Sequence, residues 1–389
     1  MKNYSFVKKA MLTFVALLIS ASIYGIKKEP CLPKDVCCEE LAPGPFAFSY
    51  PIDEGFACPK DFYVYGEFLW IKPSEEGLEY AIRQNQTVDS SPFTYQFPLL
   101  GGEIKGFSRG SNEWDWKPGF RVGFGSLNLQ DFWNVSIEWT YIRIKADSTA
   151  SNMGSGVLLP LYFPRTEQSG GEPEDLDMAL ASSRWSGDYN TIDIMLGKPY
   201  HVSRYFISNP MFGIRAAFID QDYHIRYFFS VNNSVPVKLG VISKNNAFLK
   251  NDYWGVGLKG LYKAQFRISS NWSIYSKTCF SLLFGKFDIS QNSQLAPWSE
   301  NGQRFFTYAV EDSFYTVLPN AELDLGFSWR KYFNHNQQKV SLNVGYEFHH
   351  WWNQNQTRKF FDHDPVATDT VSRGDLSFNG FVFGLNVDF

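Results

Sequence analysis

Gly380-Phe-Val-Phe-Gly-Leu-Asn-Val-Asp-Phe389 is the stretch that decides the fold. Phe381, Phe383, Leu385, Val387 and Phe389 share one face of an extended chain, and Val382, Gly384, Asn386 and Asp388 share the other. One face is large and apolar; the other is mostly small or polar. A strand of this kind, ending on an aromatic residue, is expected where a sheet closes on itself in a lipid bilayer. Lipid then meets the outward face, water meets the inward face, and closure satisfies the backbone hydrogen bonds that lipid cannot. The expected fold is all-β, a transmembrane antiparallel β-barrel of a bacterial outer membrane, with Phe389 as its C-terminal assembly signal.

The other end of the sequence agrees. Lys2, Lys8 and Lys9 precede an apolar run, Met11 to Ile19, followed by Ser20, Ala21, Ser22 and Gly25. Residues 1–25 therefore read as a secretory signal peptide, and the run is too short to span a bilayer as a helix. No other stretch approaches 18 consecutive apolar residues. Residues 26–60, rich in Pro and Cys, read as a periplasmic N-terminal segment, and residues 61–389 as the barrel.

Composition favours a barrel over a soluble exported domain. The chain is 18% aromatic, with 36 Phe, 21 Tyr and 12 Trp, yet its mean hydropathy is −0.27. Many aromatics on a polar average is what alternating lipid-facing and water-facing positions produce. The formal charge is −4, and removal of residues 1–25 with their three lysines takes it to −7. No basic patch stands out, so nucleic acid is not an expected partner.

Alternation marks ten strands, at about 61–72, 113–127, 132–146, 187–198, 210–220, 253–268, 272–287, 315–331, 339–352 and 374–389. Their outward faces include Trp70, Trp114, Trp116, Trp139, Leu258, Phe284, Phe327 and Phe348. Aromatics near strand ends, at Trp114, Trp116, Trp272, Trp351 and Trp352, suit the two interfacial girdles. Connections alternate between short ones of about 3–12 residues and long ones of about 20–40 residues. With both termini periplasmic, every long connection falls outside and every short one inside, as outer-membrane barrels require. Further strands in the long connections, such as Tyr223 to Val231 and Val237 to Ser243, would extend the sheet above the membrane. The total is therefore expected between ten and sixteen.

Nothing in the sequence reads as catalytic. Gly106-Phe-Ser-Arg-Gly110 matches G-x-S-x-G, but a Gly-rich loop precedes it and a strand follows, where a nucleophile elbow needs strand then helix. His349 and His350 are adjacent, so in a strand they face opposite sides and suit polar roles at an interface or pore mouth. The acidic run Glu172, Glu174, Asp175, Asp177 reads as a solvated loop rather than a calcium site. No cofactor and no metal are expected.

Of the five cysteines, Cys31, Cys37, Cys38 and Cys58 lie together before the first strand, while Cys279 is alone within a strand. An exported chain meets an oxidising compartment. Two readings stand: one or two local bridges, or intermolecular cross-links, which the odd count allows. No histidine accompanies the cluster, so it does not resemble a zinc site.

Inward positions carry the bases Lys117, Arg121, Arg215, Lys259, Lys263, Arg267 and Arg330. They also carry the acids Glu67, Asp115, Glu138, Asp193, Glu322, Asp324, Glu347 and Asp388. Charges held at membrane depth either pair across a packed interior or line water. Taken as pore-lining, Lys117, Arg121, Arg215, Lys259, Lys263, Arg267, Glu322, Asp324, Arg330 and Glu347 place a basic wall opposite an acidic one, a transverse field that screens solutes by polarity.

Phe62-Tyr-Val-Tyr-Gly-Glu-Phe-Leu-Trp-Ile-Lys-Pro-Ser-Glu-Glu-Gly-Leu-Glu-Tyr80 resembles the opening strand of the major outer membrane protein-like, pore-forming family of chlamydia-related and Legionella-type bacteria. Gly213-Ile-Arg-Ala-Ala-Phe-Ile-Asp-Gln221, Asn251-Asp-Tyr-Trp-Gly-Val-Gly257 and Trp351-Trp-Asn-Gln-Asn-Gln356 resemble later blocks in the same order. The resemblance implies a porin passing small hydrophilic solutes and ions, abundant at the cell surface, with outer-membrane lipid and the barrel assembly machinery as partners. It also implies disulfide linkage to envelope proteins or to further copies, which fits Cys31, Cys37, Cys38 and Cys58. The alternative is a plugged barrel serving as a surface adhesin or a disulfide-linked structural envelope protein.

Overall fold

A computed structural model describes residues 62–84, 103–107, 114–129, 133–151, 157–162, 178–203, 205–229, 242–297, 305–333, 338–363, 366–371 and 374–389. The signal peptide, the N-terminal segment with its four cysteines, and the acidic run at 172–177 lie outside the described residues, as does most of the G-x-S-x-G stretch. The described strands are β1 (Phe62–Glu75), β2 (Leu78–Gln84), β3 (Glu103–Phe107), β4 (Lys117–Leu129), β5 (Trp133–Ser151), β6 (Val157–Pro160), β7 (Met178–Gly197) and β8 (Tyr200–His201). They continue with β9 (Phe206–Phe229), β10 (Ile242–Arg267), β11 (Trp272–Pro297), β12 (Phe305–Phe333), β13 (Gln338–Asn355), β14 (Arg358–His363), β15 (Val366–Val371) and β16 (Gly374–Asp388).

Ten of these strands close into an antiparallel barrel. Its order is β1-β4-β5-β7-β9-β10-β11-β12-β13-β16, with β16 returning to β1. Closure leaves no open edge, which lipid would not tolerate. Phe389 N donates to Phe62 O at 2.9 Å, so the terminal residue is tied into the seam. The seam pairs Phe68 with Phe383 and Trp70 with Phe381. All four are exposed on the outer wall, as the terminal alternation requires.

Register on the outer face follows the sequence pattern. Leu258 is 75% exposed while Lys259, its neighbour, is 4% exposed. Val317, Leu323, Leu325 and Phe327 continue the belt on β12, and Leu342, Val344, Tyr346 and Phe348 on β13. The strand ends joined by the short connections (β4 to β5, β7 to β9, β10 to β11 and β12 to β13) lie at the same end of the barrel as the start of β1 and the end of β16. The strand ends joined by the long connections lie at the other end.

The strands outrun the apolar belt. β10 and β11 are 26 residues each and β12 is 29, where a tilted span needs about 9–11. Tyr223 to Phe229 is thus no separate element but the upper part of β9, paired with the upper part of β10 from Lys244 onward. Several connections are accordingly shorter than the sequence suggests, because strand continues where the apolar alternation stops.

Above the belt the alternation keeps its parity and reverses its chemistry. Ile142, Ile144, Trp185, Tyr189, Ile219, Ile225, Leu249, Tyr253, Leu283, Phe287 and Ile289 point inward and are buried together. Outward stand Arg143, Lys145, Asp188, Asp220, Asp222 and Lys250. One unbroken cross-strand row runs Asp188, Asp220, Asp252, Asp288 over β7, β9, β10 and β11. The lower wall meets lipid and the upper wall meets water, so each half buries its apolar residues where its surroundings dictate.

This reversal corrects three expectations. Trp114 is not outward: it is buried against Phe107 and Trp185, at ring distances of 4.9 and 5.3 Å. Trp351 is fully buried against Tyr189 rather than in a girdle. Asp115 does not face the lumen; its side chain is 75% exposed and lies 3.5 Å from Lys117.

Strands β2, β3 and β6 form a small sheet of their own. Leu78, Tyr80, Ala81, Phe107, Leu158 and Tyr162 join the same buried cluster. Tyr223 and Tyr227 on β9 donate their hydroxyls to the carbonyls of Leu78 and Tyr80, each at 2.7 Å. The described parts of two connections, β2 and β3 of one and β6 of the other, thus pack over the mouth at this end of the barrel.

Candidate functional site in the lumen

At belt level the inward face is polar, and two arginines organise it. Gly123 and Gly125 on β4 leave room for the rings of Tyr65 and Tyr63; a Cβ at either would stand 2.2 Å from a ring carbon. The tyrosine hydroxyls reach on to Glu138 and Asn134, at 2.5 and 2.9 Å. Two residues along, Arg121 points between strands. Its Nη1 donates to Glu67 at 2.5 Å, Nη2 to Glu347 at 3.0 Å and Nε to Thr140 at 3.2 Å. The remaining Glu67 oxygen accepts from Lys277 at 2.8 Å, and Lys277 lies 3.2 Å from Asp324.

The Lys277–Glu67 bond spans the lumen. β11 and β1 are separated by three strands on one side and five on the other. Sequence reading placed Glu67 inward but overlooked Lys277. Its signal was parity with Cys279 and Ser281, opposite the lipid-facing Phe280 and Leu282.

The second group surrounds Arg215 on β9, which is 2% exposed. Its Nε and Nη2 grip both oxygens of Asp193 at 2.7 and 2.8 Å. Nη1 donates to Asn320 at 2.7 Å and to Glu322. Lys259 donates to Asp193 at 2.5 Å and lies 3.7 Å from Glu322. His349 joins the two groups, 3.5 Å from Glu322 and 3.3 Å from Glu347. His350 faces the other way, with Nδ1 2.8 Å from Ser377.

The basic and acidic residues thus do not stand apart as walls. Arg121 and Arg215 reach carboxylates on neighbouring and distant strands alike. A barrel of ten strands is narrow enough for long side chains to meet across it, and a buried charge without a partner costs several kcal/mol. Lys117 stays outside this network, beside Asp115 at the belt's upper edge. Below it, Lys263 faces Lys277 across the β10–β11 ladder. Arg267 is buried near the mouth at the β10–β11 turn, Arg330 donates to the Ser270 carbonyl at 3.0 Å, and Lys339 holds Asp388 at 2.6 Å.

Among the described residues no group of three or more His, Cys, Asp or Glu is arranged to hold a metal ion. Cys279 is a free, buried thiol. What the arrangement does is neutralise charge and fill space at membrane depth.

A family model described as "Legionella pneumophila major outer membrane protein precursor" matches residues 57–389. No curated protein sequence matches. Among solved structures, the outer membrane protease OmpT of Escherichia coli is 9% identical, with 85% of this chain and 97% of that one covered and a TM-score of 0.38. The toluene transporter TodX of P. putida is 6% identical, covering 85% and 91%, with a TM-score of 0.22. A Pseudomonas aeruginosa FadL homologue is 7% identical, covering 90% and 96%, also at 0.22.

Proposed function

The chain belongs to the Legionella pneumophila major outer membrane protein family, and on that premise we propose that it is a surface-exposed envelope barrel whose lumen is sealed. The observation that carries this reading is the belt-level network itself. Lys277 holds Glu67 across the lumen at 2.8 Å, Arg121 joins Glu67 on the adjacent strand at 2.5 Å and reaches Glu347 at 3.0 Å, and Arg121, Arg215, Asp193, Lys259 and Glu347 are buried. The tyrosine-tethered cap closes the external mouth above them. Such a barrel contributes a rigid, charged outer surface to the envelope, in the manner of an adhesin or structural protein. Linkage through Cys31, Cys37, Cys38 and Cys58 would tie it to its neighbours.

A second reading, passive diffusion of small hydrophilic solutes and ions, is favoured by a different observation. The side chains of Lys277 and Glu138 remain 24% and 21% exposed, so water reaches part of the network. Single-channel recording of the full mature chain in planar lipid separates the two. A sealed barrel gives no steady conductance steps; reproducible steps in the wild-type chain would favour the porin.

A further inference from the structure

The cap conceals a carboxylate with no charged partner. Glu75 is the last residue of β1, five positions beyond Trp70, and lies above the apolar belt. It is fully buried. One oxygen accepts from Gln221 Nε2 of β9 at 2.9 Å; the other has no hydrogen-bond partner. The polar chain continues across the barrel. Asn251 Nδ2 of β10 donates to Gln221 Oε1 and to the Gln354 carbonyl, each at 2.8 Å. Gln354 follows Asn353, whose φ is 54°. The segment is fixed by Asn353 N donating to Asp375 and Asn355 Nδ2 donating to the Glu76 carbonyl, both at 2.8 Å.

Three oxygens in this cluster are buried and unpartnered: Glu75 Oε2, Asn251 Oδ1 and Gln354 Oε1. The one unpartnered donor among these three residues and Gln221 is Gln354 Nε2. All four side chains are at least nine-tenths buried. Flanking residues on the same inward faces are Ile219, Tyr223, Leu249 and Tyr253, so no cation is supplied from β9 or β10. Burial pushes the Glu75 carboxyl up to about 8, and only the Gln221 hydrogen bond opposes it. Unpartnered buried oxygens along a hydrogen-bonded chain that starts at one carboxylate are donors that a small hard cation satisfies. A single carboxylate neutralises one charge, whereas a divalent ion would leave a net charge in an apolar core.

We propose that Glu75, Gln221, Asn251 and Gln354 form a binding site for one alkali metal cation, which locks β1, β9, β10 and the end of β13 together beneath the cap. The site is independent of whether the barrel conducts.

The test uses the full mature chain in neutral lipid vesicles, unfolded thermally in sodium chloride or choline chloride at equal ionic strength. pH 9 lies above the raised Glu75 value of about 8, and the methylated nitrogen of choline cannot take oxygen ligands directly. The expected result is a saturable rise of about 2 °C or more in the unfolding midpoint in sodium, absent in Glu75→Gln. In choline, a carboxyl raised by burial loses stability as pH climbs from the unfolded value, about 4.3, through about 8. Sodium should offset that loss, and Glu75→Gln should show neither loss nor offset. Equal wild-type midpoints in the two salts at pH 9 would overturn the site without recourse to any variant. A sodium effect that survives in Glu75→Gln would place the cation elsewhere and overturn it equally.

Discussion

Replacing Arg215 by Met tests the sealed lumen most directly. Arg215 is 2% exposed and makes two bonds to Asp193, with further bonds to Asn320 and Glu322. Methionine fills much of the same volume and supplies none of these donors. Asp193 and Glu322 are then left to share Lys259, whose ammonium lies 2.5 and 3.7 Å from them. One buried negative charge is uncompensated, and removing one partner of a buried pair costs about 3–5 kcal/mol. Adding Glu322→Gln restores the balance, because Asp193 keeps Lys259. The double variant should therefore lose less than half as much, below about 2 kcal/mol. The assay is denaturant unfolding in lipid vesicles, followed by tryptophan fluorescence and by heat-modifiable gel migration. A loss under about 1 kcal/mol for the single variant is the value expected of solvated pairs. It would mean that Arg215 already stands in water, and the sealed-lumen reasoning would fail. A double variant as unstable as the single one would refute the charge-balance argument instead.

Leu258→Arg, on the lipid face of β10, should cost about 2–4 kcal/mol if that position lies at the bilayer midplane; a neutral effect in the same unfolding assay would displace the belt. Gly123→Val should block folding by collision with the Tyr65 ring, and adding Tyr65→Ala should recover heat-modifiable barrel, whereas a folded single variant would show that the ring has another place to lie. Non-reducing gels of cell envelopes should show higher-mass species that collapse with thiol reductant and vanish when Cys31, Cys37, Cys38 and Cys58 are all changed to Ser. A ladder persisting in that variant would implicate Cys279, whose burial among lumen side chains predicts no reaction with maleimide in the folded barrel.

The barrel was legible because alternation at belt level is a purely local property. Phe381 to Phe389 and Val256 to Ile268 each state their own faces, and lipid amplifies the contrast between them. Above the belt the same parity continues with opposite chemistry. A reader following apolar-out positions therefore loses the strand at Lys72 or Asp220 and counts loop where strand continues. Trp114 and Trp351 were misplaced for that reason. Inward charges were legible as a set, since Arg121, Arg215 and Lys259 sit on clear strands. Their partners were not, because pairing across the lumen depends on ring size and stagger, which no single strand encodes. Glu75 fell outside the first strand as read, and its isolation depends on Gln221, Asn251 and Gln354, far away in sequence.

The reversal of faces along each wall also sets the depth at which the molecule floats. A barrel with an apolar band and bare loops is free to bob, since sliding exchanges one greasy residue for the next. Here the aspartate row at 188, 220, 252 and 288 works as a collar. Sinking would bring these carboxylates toward acyl chains one after another, since the strands tilt and a cross-strand row slopes across the bilayer; Asp188, Asp252 and Asp288 each lie beside a base, Arg143, Lys250 and Lys286. The change from apolar to charged outward side chains along each wall resists displacement of the barrel along its axis in either direction.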